Sequence, residues 1–88
     1  MTRANDDSTS IDSSRMNWDK VDDCALALLY FGLHEDYRTW KGFDWETMNR
    51  LHAKGYISDP VGKAKSVVFT DEGIARSVEL VRSMFFDR

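Results

Sequence analysis

The chain has 88 residues, a formal net charge of −3 and a mean hydropathy of −0.50. This length accommodates one small domain. No apolar run approaches the roughly 20 residues that a bilayer requires, which argues against a membrane protein. One cysteine excludes a disulfide scaffold, and 12% aromatic residues are too many for a wholly disordered chain. Two histidines, one cysteine and no glycine-rich loop favour a protein that is not an enzyme.

The N-terminal segment predicts a tail. Residues 1–15 contain Ile11 as their one large apolar side chain after the first methionine. Ordering a residue costs about 1–2 kcal/mol, which such a segment cannot recover by burial. We therefore expect a disordered tail over residues 1–15 and a folded domain over 16–88. The tail lacks the apolar stretch of a secretory signal, which favours a cytoplasmic protein.

A first helix is predicted from Trp18 to Gly32, with Asn17 or Asp19 as its N-cap. The helix dipole favours the acidic side chains of its first turns, Asp19, Asp22 and Asp23. Residues 24–31 are apolar on all sides, which is typical of a helix covered on more than one side. We expect Cys24 to be buried among them as a small hydrophobic residue.

The middle of the chain combines a loop with a second helix. Residues 34–43 show no clean period and predict an ordered loop. Asp44 is the predicted cap of the second helix, and Gly55 stands where a left-handed residue ends a helix. The inner side of this helix is expected to hold Trp45, Met48, Leu51 and His52. We interpret Tyr37, Trp40 and Trp45 as core anchors; the alternative is an aromatic platform for single-stranded bases.

The C-terminal part predicts a hairpin and a third helix. Tyr56–Ser58 and Ser66–Phe69 are strand candidates joined by turn residues 59–62. Thr70 is the predicted cap of a helix that runs to about Phe86, with an apolar arc wide enough for two neighbours. We expect one part of the arc to contact the first helix and the remainder to form a homodimer. The predicted fold class is α+β and winged-helix-like, with three helices and a two-stranded antiparallel β-hairpin (the wing) between helices 2 and 3.

Two resemblances follow from these segments. Leu51–Ile57 and Val68–Gly73 resemble the recognition helix and wing of winged-helix regulators of the MarR or PadR type, which implies DNA binding. A second set resembles a family of small bacterial proteins known as a domain of unknown function, over residues 18 to about 86; its segments are Lys20–Leu29, Trp40–Trp45 and Ser58–Ser66. This resemblance implies a fold and a bacterial origin. The chain departs from a helix-turn-helix at residues 34–43, where a separate helix would lie.

The charges are unevenly distributed along the folded part. Residues 16–49 carry three basic and seven acidic groups, for −4, whereas residues 50–65 carry four basic groups against Asp59, for +3. A winged helix contacts phosphates with this second stretch. The candidate phosphate contacts are Arg50, Lys54, Lys63 and Lys65. Asn49 is the candidate that reaches a base edge.

The sequence offers no catalytic, metal or cofactor site. Cys24, His34 and His52 lack the short spacings of zinc ligands, and His52 is better explained as a histidine at the core edge bonded to a carbonyl. Gly62 and Lys63 lead into a strand and not into a helix, so they form no phosphate loop. Two functional hypotheses stay open. One is a module that binds double-stranded DNA or regulates transcription; the alternative is a protein–protein adaptor that uses the acidic residues 19–23 and 35–36 or the free side of helix 3.

Overall fold

The computed structural model of the protein describes residues 11–62 and 64–87. Within them, three helices and a two-stranded antiparallel sheet follow in the order α1 (Trp18–Leu29), β1 (Arg38–Trp40), α2 (Trp45–Ala53), β2 (Ser66–Val68) and α3 (Asp71–Phe85). Two short 3-10 turns, Ser13–Arg15 and Tyr30–Gly32, flank α1. The predicted α+β, winged-helix-like class is confirmed. Residues 1–10 of the predicted tail lie outside the described residues, and the domain boundary stays a prediction.

The helix ends follow local rules that the sequence displays. The Asn17 side chain accepts a hydrogen bond from the Lys20 N–H at 3.1 Å and caps α1. Gly55 has a φ of +85°, the left-handed conformation predicted for it. The Thr70 hydroxyl accepts from the Gly73 N–H at 2.9 Å and donates to the Gly55 carbonyl at 2.6 Å. Thr70 therefore links the end of α2 to the start of α3.

The core lies between α1, α2, α3 and the sheet. It is formed by apolar side chains of the three helices, of β2 and of the isolated bridge beside it: Ala25, Leu26, Ala27, Leu29, Met48, Leu51, Ile57, Val67, Phe69, Leu80 and Val81. Two contacts show how α1 lies along α3. Arg76, in the first half of α3, bonds at 3.3 Å to Asp23, midway along α1. Further on, the ring of Phe31, just after α1, lies 6.0 Å from the ring of Phe85, at the end of α3. The two helices therefore run side by side in the same direction.

Strand pairing differs in one detail from the predicted hairpin. Between α2 and α3 the Ser58 N–H donates to the Val68 carbonyl at 2.8 Å, and Ile57 pairs with Phe69 in an isolated bridge. The longer ladder joins β2 to β1, in the register Arg38↔Val68, Thr39↔Val67 and Trp40↔Ser66. Part of the predicted loop over residues 34–43 is therefore a strand.

The reason β1 escapes the sequence pattern is its length. Three residues show a single alternation, exposed, buried, exposed, and a period of two needs a longer run to be visible. What holds the strand is tertiary: the buried Thr39 hydroxyl donates to the Leu29 carbonyl at 2.8 Å. This bond joins residues ten positions apart, so a local pattern does not reveal it.

Candidate interaction surfaces

The two predicted phosphate contacts on α2 are engaged inside the molecule. Asp22 of α1 has 1% of its surface exposed, and its carboxylate accepts bonds from Arg50 Nε at 2.9 and 3.0 Å. Lys54 Nζ lies 2.9 Å from the same carboxylate and 2.8 Å from Asp19. A buried carboxylate requires such partners, because an unpaired buried charge is costly. Arg50 and Lys54 therefore serve first to neutralise Asp22.

Arg50 has further contacts that fix its position. Its guanidinium carbon lies 4.8 Å from the centre of the Trp18 ring, a cation–π distance. Its Nη2 donates to the Thr47 hydroxyl at 3.2 Å. A phosphate would have to compete with a carboxylate, an aromatic face and a hydroxyl for this one side chain.

The ion pairs also shift the pKa values of their members. The hydrogen bond from Lys54 holds the pKa of Asp19 below its ordinary value of 3.8. Burial by itself lowers the pKa of Lys54, but its bonds to Asp19 and Asp22 outweigh that effect and raise the pKa above 10.5. The bonds thus favour the charged form of both groups at neutral pH.

The remaining candidate residues lie apart from this cluster. Asn49 is exposed on the outer side of α2, as predicted. Lys65 is exposed beside β2, and its carbonyl accepts from the Lys41 N–H at 3.1 Å. Lys63 lies outside the described residues. Among the described contacts, Arg50 and Lys54 are brought together through Asp22, and neither Asn49 nor Lys65 is bonded to them.

Helix α1 carries an apolar stripe that faces solvent. Cys24 and Leu28 of α1 and Phe31 of the 3-10 turn that continues it are exposed, and their spacing of four and three residues places them on one side. The prediction that Cys24 is buried is therefore wrong. The residues of α1 are apolar on all sides, but the fold covers the opposite side, which holds Ala25, Leu26 and Leu29.

An apolar cleft of about 350 Å³ lies where α1 and α3 end. Its lining consists of Tyr30, Phe31, Val78, Val81, Arg82, Phe85 and Phe86. Phe31, Phe85 and Phe86 are 65%, 46% and 62% exposed. We call the residues Leu28, Phe31, Val78, Phe85 and Phe86 the α1–α3 surface. The wide apolar arc predicted for the third helix indicates the part of this surface that α3 contributes.

A second exposed surface lies at the sheet. Trp40 and Trp45 are 56% and 58% exposed, and Tyr37 is exposed as well, so their interpretation as core anchors is wrong. The Trp40 indole rests against Gly32 and Gly42, where a Cβ atom on Gly32 would lie 2.4 Å from the ring. Lys41 Nζ lies 5.9 Å from the centre of the Trp45 ring. The missed strand β1 explains Trp40, because it turns this side chain to the outer face of the sheet.

Across residues 11–62 and 64–87, no group of three His, Cys, Asp or Glu side chains is placed to hold a metal ion. His52 Nδ1 lies 3.0 Å from the Ile57 carbonyl, the bond predicted for it, but the residue is exposed, so its predicted place on the inner side of α2 is wrong. In the described part of the chain, no helix is both long enough and apolar enough to cross a bilayer.

Comparison with known proteins supports one of the two resemblances. The model of the family described as Domain of unknown function (DUF6429) matches residues 17–87. The chain is also 58% identical over 67 residues to "Uncharacterized protein y4hR" of Sinorhizobium fredii (strain NBRC 101917 / NGR234), which covers 76% of this chain and 90% of that protein. No solved structure matches the chain, and the resemblance to MarR or PadR regulators is not confirmed. The chain belongs to the DUF6429 family of small bacterial proteins.

Proposed function

We propose that the chain is a non-enzymatic protein-interaction module that contacts its partner through the α1–α3 surface. The exposure of three phenylalanines around one cleft carries this proposal. The exposed parts of Phe31, Phe85, Phe86 and Leu28 amount to roughly 400 Å², at about 200 Å² per aromatic side chain. The largest apolar patches on monomers measure about 300–600 Å² and are often functional.

The charge arrangement supports an adaptor over a protein that docks in a DNA major groove. Arg50 of α2 and Lys54, just after it, are bound to Asp22. If they bound phosphates instead, the buried carboxylate of Asp22 would lose its partners, which is costly. The total charge of −3 also repels a polyanion. In addition, β1 occupies the part of the chain where a helix-turn-helix has a separate helix.

A photo-crosslinking benzoylphenylalanine in place of Phe86 tests the adaptor in cells of the bacterium that makes the protein. We expect a covalent protein product at this position because the side chain faces the partner. The matched control places the same residue at Val61, which is 67% exposed but lies in the loop before β2. Crosslinked proteins at both positions in equal amounts, or at neither, contradict the proposal.

Nucleic-acid binding is the second candidate, and the sheet surface favours it. Trp40 is 56% exposed and its ring lies against Gly32 and Gly42. Three cationic residues, Arg38, Lys41 and Lys65, lie in β1 or beside the two strands. Bases stack on such rings with about 1–3 kcal/mol each, and cations attract the backbone. This candidate places the contact away from the paired side chains of Arg50 and Lys54.

Titration of the isotope-labelled chain at low salt tests this candidate by NMR. Single-stranded binding predicts a shift of the Trp40 indole N–H with oligothymidine, which is lost in Trp40→Ala. Duplex binding in the predicted mode requires shifts at Asn49, Arg50, Lys54, Lys63 and Lys65. If neither nucleic acid moves any of these signals, the second candidate is wrong.

A further inference from the structure

We infer that the α1–α3 surface docks on the same surface of a second copy of this chain, in a two-fold dimer where α3 lies antiparallel to its counterpart. The inference rests on the proposed function, since it names the partner of the same surface. Four observations carry it: the continuity of the face, its size, its charges and its shape.

The face is continuous across two helices. Because α1 and α3 run side by side in the same direction, the stripe of α1 and the end of α3 form one surface, and the contact between Phe31 and Phe85 joins them. Leu28 extends the surface along α1, and Val78 extends it along α3. A second pair of helices laid on this face would produce a four-helix arrangement, a common way to bury such stripes.

The apolar area suits a modest dimer. A stable interface buries about 800 Å² per partner, of which about 500 Å² is apolar. The roughly 400 Å² exposed by the three phenylalanines and Leu28 supply most of that amount. Exposed polar residues of α3, Glu79, Arg82 and Ser83, would supply the polar part of the interface.

Two opposite charges on α3 can pair across a two-fold axis. Arg82 lines the cleft and makes no ion pair with any residue of the described part of the chain. Glu79 lies one turn earlier, and its exposed side chain pairs within α3 with Arg76 at 3.2 Å, which leaves carboxylate surface open to a second cation. A two-fold axis between Leu80 and Val81 sets Glu79 of one copy level with Arg82 of the other, and the reverse, because a two-fold contact is reciprocal. A second copy thus brings a carboxylate to Arg82, which pairs with none in residues 11–62 and 64–87.

The same axis also matches large side chains to small ones. It sets Phe86 of one copy level with Ala75 of the other, and Ala75 is exposed and small. Val78 becomes level with Ser83. The ring of Phe86 therefore faces a small side chain at that level.

Sedimentation equilibrium of the full chain over a wide concentration range tests the dimer. We expect twice the 10.2 kDa mass of the chain. Phe86→Glu should raise the dimer dissociation constant at least about tenfold, because it replaces a buried aromatic contact of the interface with a charge. Val61→Glu, a matched change at an exposed apolar residue elsewhere, should leave it unchanged. Far-UV circular dichroism verifies that each variant is folded.

The charge pairs allow a test of the symmetry. Glu79→Arg and Arg82→Glu should each weaken the homodimer, because each creates two like-charge pairs across the axis. An equimolar mixture of the two variants should recover the dimer, since every pair then joins opposite charges. Failure of the mixture to recover it overturns this arrangement.

The two proposals fail in different ways. A chain that stays monomeric at the highest concentration overturns the dimer. If the crosslink from position 86 then joins another protein, the interaction module stands with a different partner. If position 86 yields no product and the chain is monomeric, both proposals are wrong.

Discussion

Asp22 decides how the basic residues between positions 50 and 65 are interpreted. Arg50 and Lys54 are predicted to face a ligand because basic residues cluster in this part of the sequence. The same prediction assigns the charge of Asp22 to the helix dipole. The structure joins them across 28 and 32 residues. Because no local pattern shows which face of α1 meets α2, the sequence displays the charges but conceals their pairing.

We expect Asp22→Ala to lower the free energy of unfolding by about 2–3 kcal/mol. The loss lies at the low end for a buried ion pair because Arg50 and Lys54, with 28% and 31% of their side chains exposed, can turn to water. Urea unfolding at neutral pH measures it. Glu46→Ala, a change at an exposed acid of α2, is the control. Equal unfolding free energies of the two variants would show that the ion pairs of Asp22 with Arg50 and Lys54 do not stabilise the fold.

The Asp19–Lys54 pair predicts a pH dependence. The pKa of Asp19 is lowered on folding, so its contribution is present above 3.8 and disappears as the pH falls through the folded value. The pKa of Lys54 is raised, so its contribution is present below 10.5 and disappears as the pH rises above that value. Wild type should therefore unfold at a higher urea concentration than Asp19→Asn at pH 7. The difference between the midpoints should shrink below pH 3.8 and above pH 10.5; a constant difference across this range contradicts the pair.

At the scale of elements, what the sequence predicts well is what local rules decide. Asn17 and Thr70 cap their helices and Gly55 is left-handed, because each depends on neighbours within a few residues. The partner of β2 and the exposed side of α1 depend on distant contacts instead. The apolar composition of α1 predicts that the helix is covered on more than one side, whereas the fold of a single chain covers one side of it.

The junction of α3 with the strand before it offers a sharp test. A Cβ atom on Gly73 would lie 1.9 Å from the Tyr56 carbonyl oxygen, and a backbone atom cannot move aside cheaply. We expect Gly73→Ala to cost about 3 kcal/mol in unfolding free energy. Gly55→Ala is the comparison: it strains a positive φ but meets nothing closer than 3.7 Å, and should cost about 1 kcal/mol. The reverse order in thermal or urea unfolding would refute the close contact.

At the scale of the whole molecule, the exposed stripe of α1 and the Phe-lined end of α3 form one apolar surface that the fold of a single chain leaves uncovered. A domain of this size has little apolar surface to spare, and a face left open on two adjacent helices is best explained by a neighbour that covers it. Cys24 lies on that stripe, in line with Leu28 and Phe31. Its thiol therefore reports whether the face is open or covered.

We expect Cys24 of the dilute chain to react readily with a thiol reagent, and the reaction to slow as the protein concentration rises and the dimer covers α1. Phe86→Glu should keep the reaction fast at all concentrations, because it keeps the face open. The control is Val61→Cys in a Cys24→Ser background, whose rate should not depend on concentration. The rates are measured by the absorbance of the released chromophore. A Cys24 rate that is equally fast in dilute and concentrated wild-type protein means that no second copy covers the stripe.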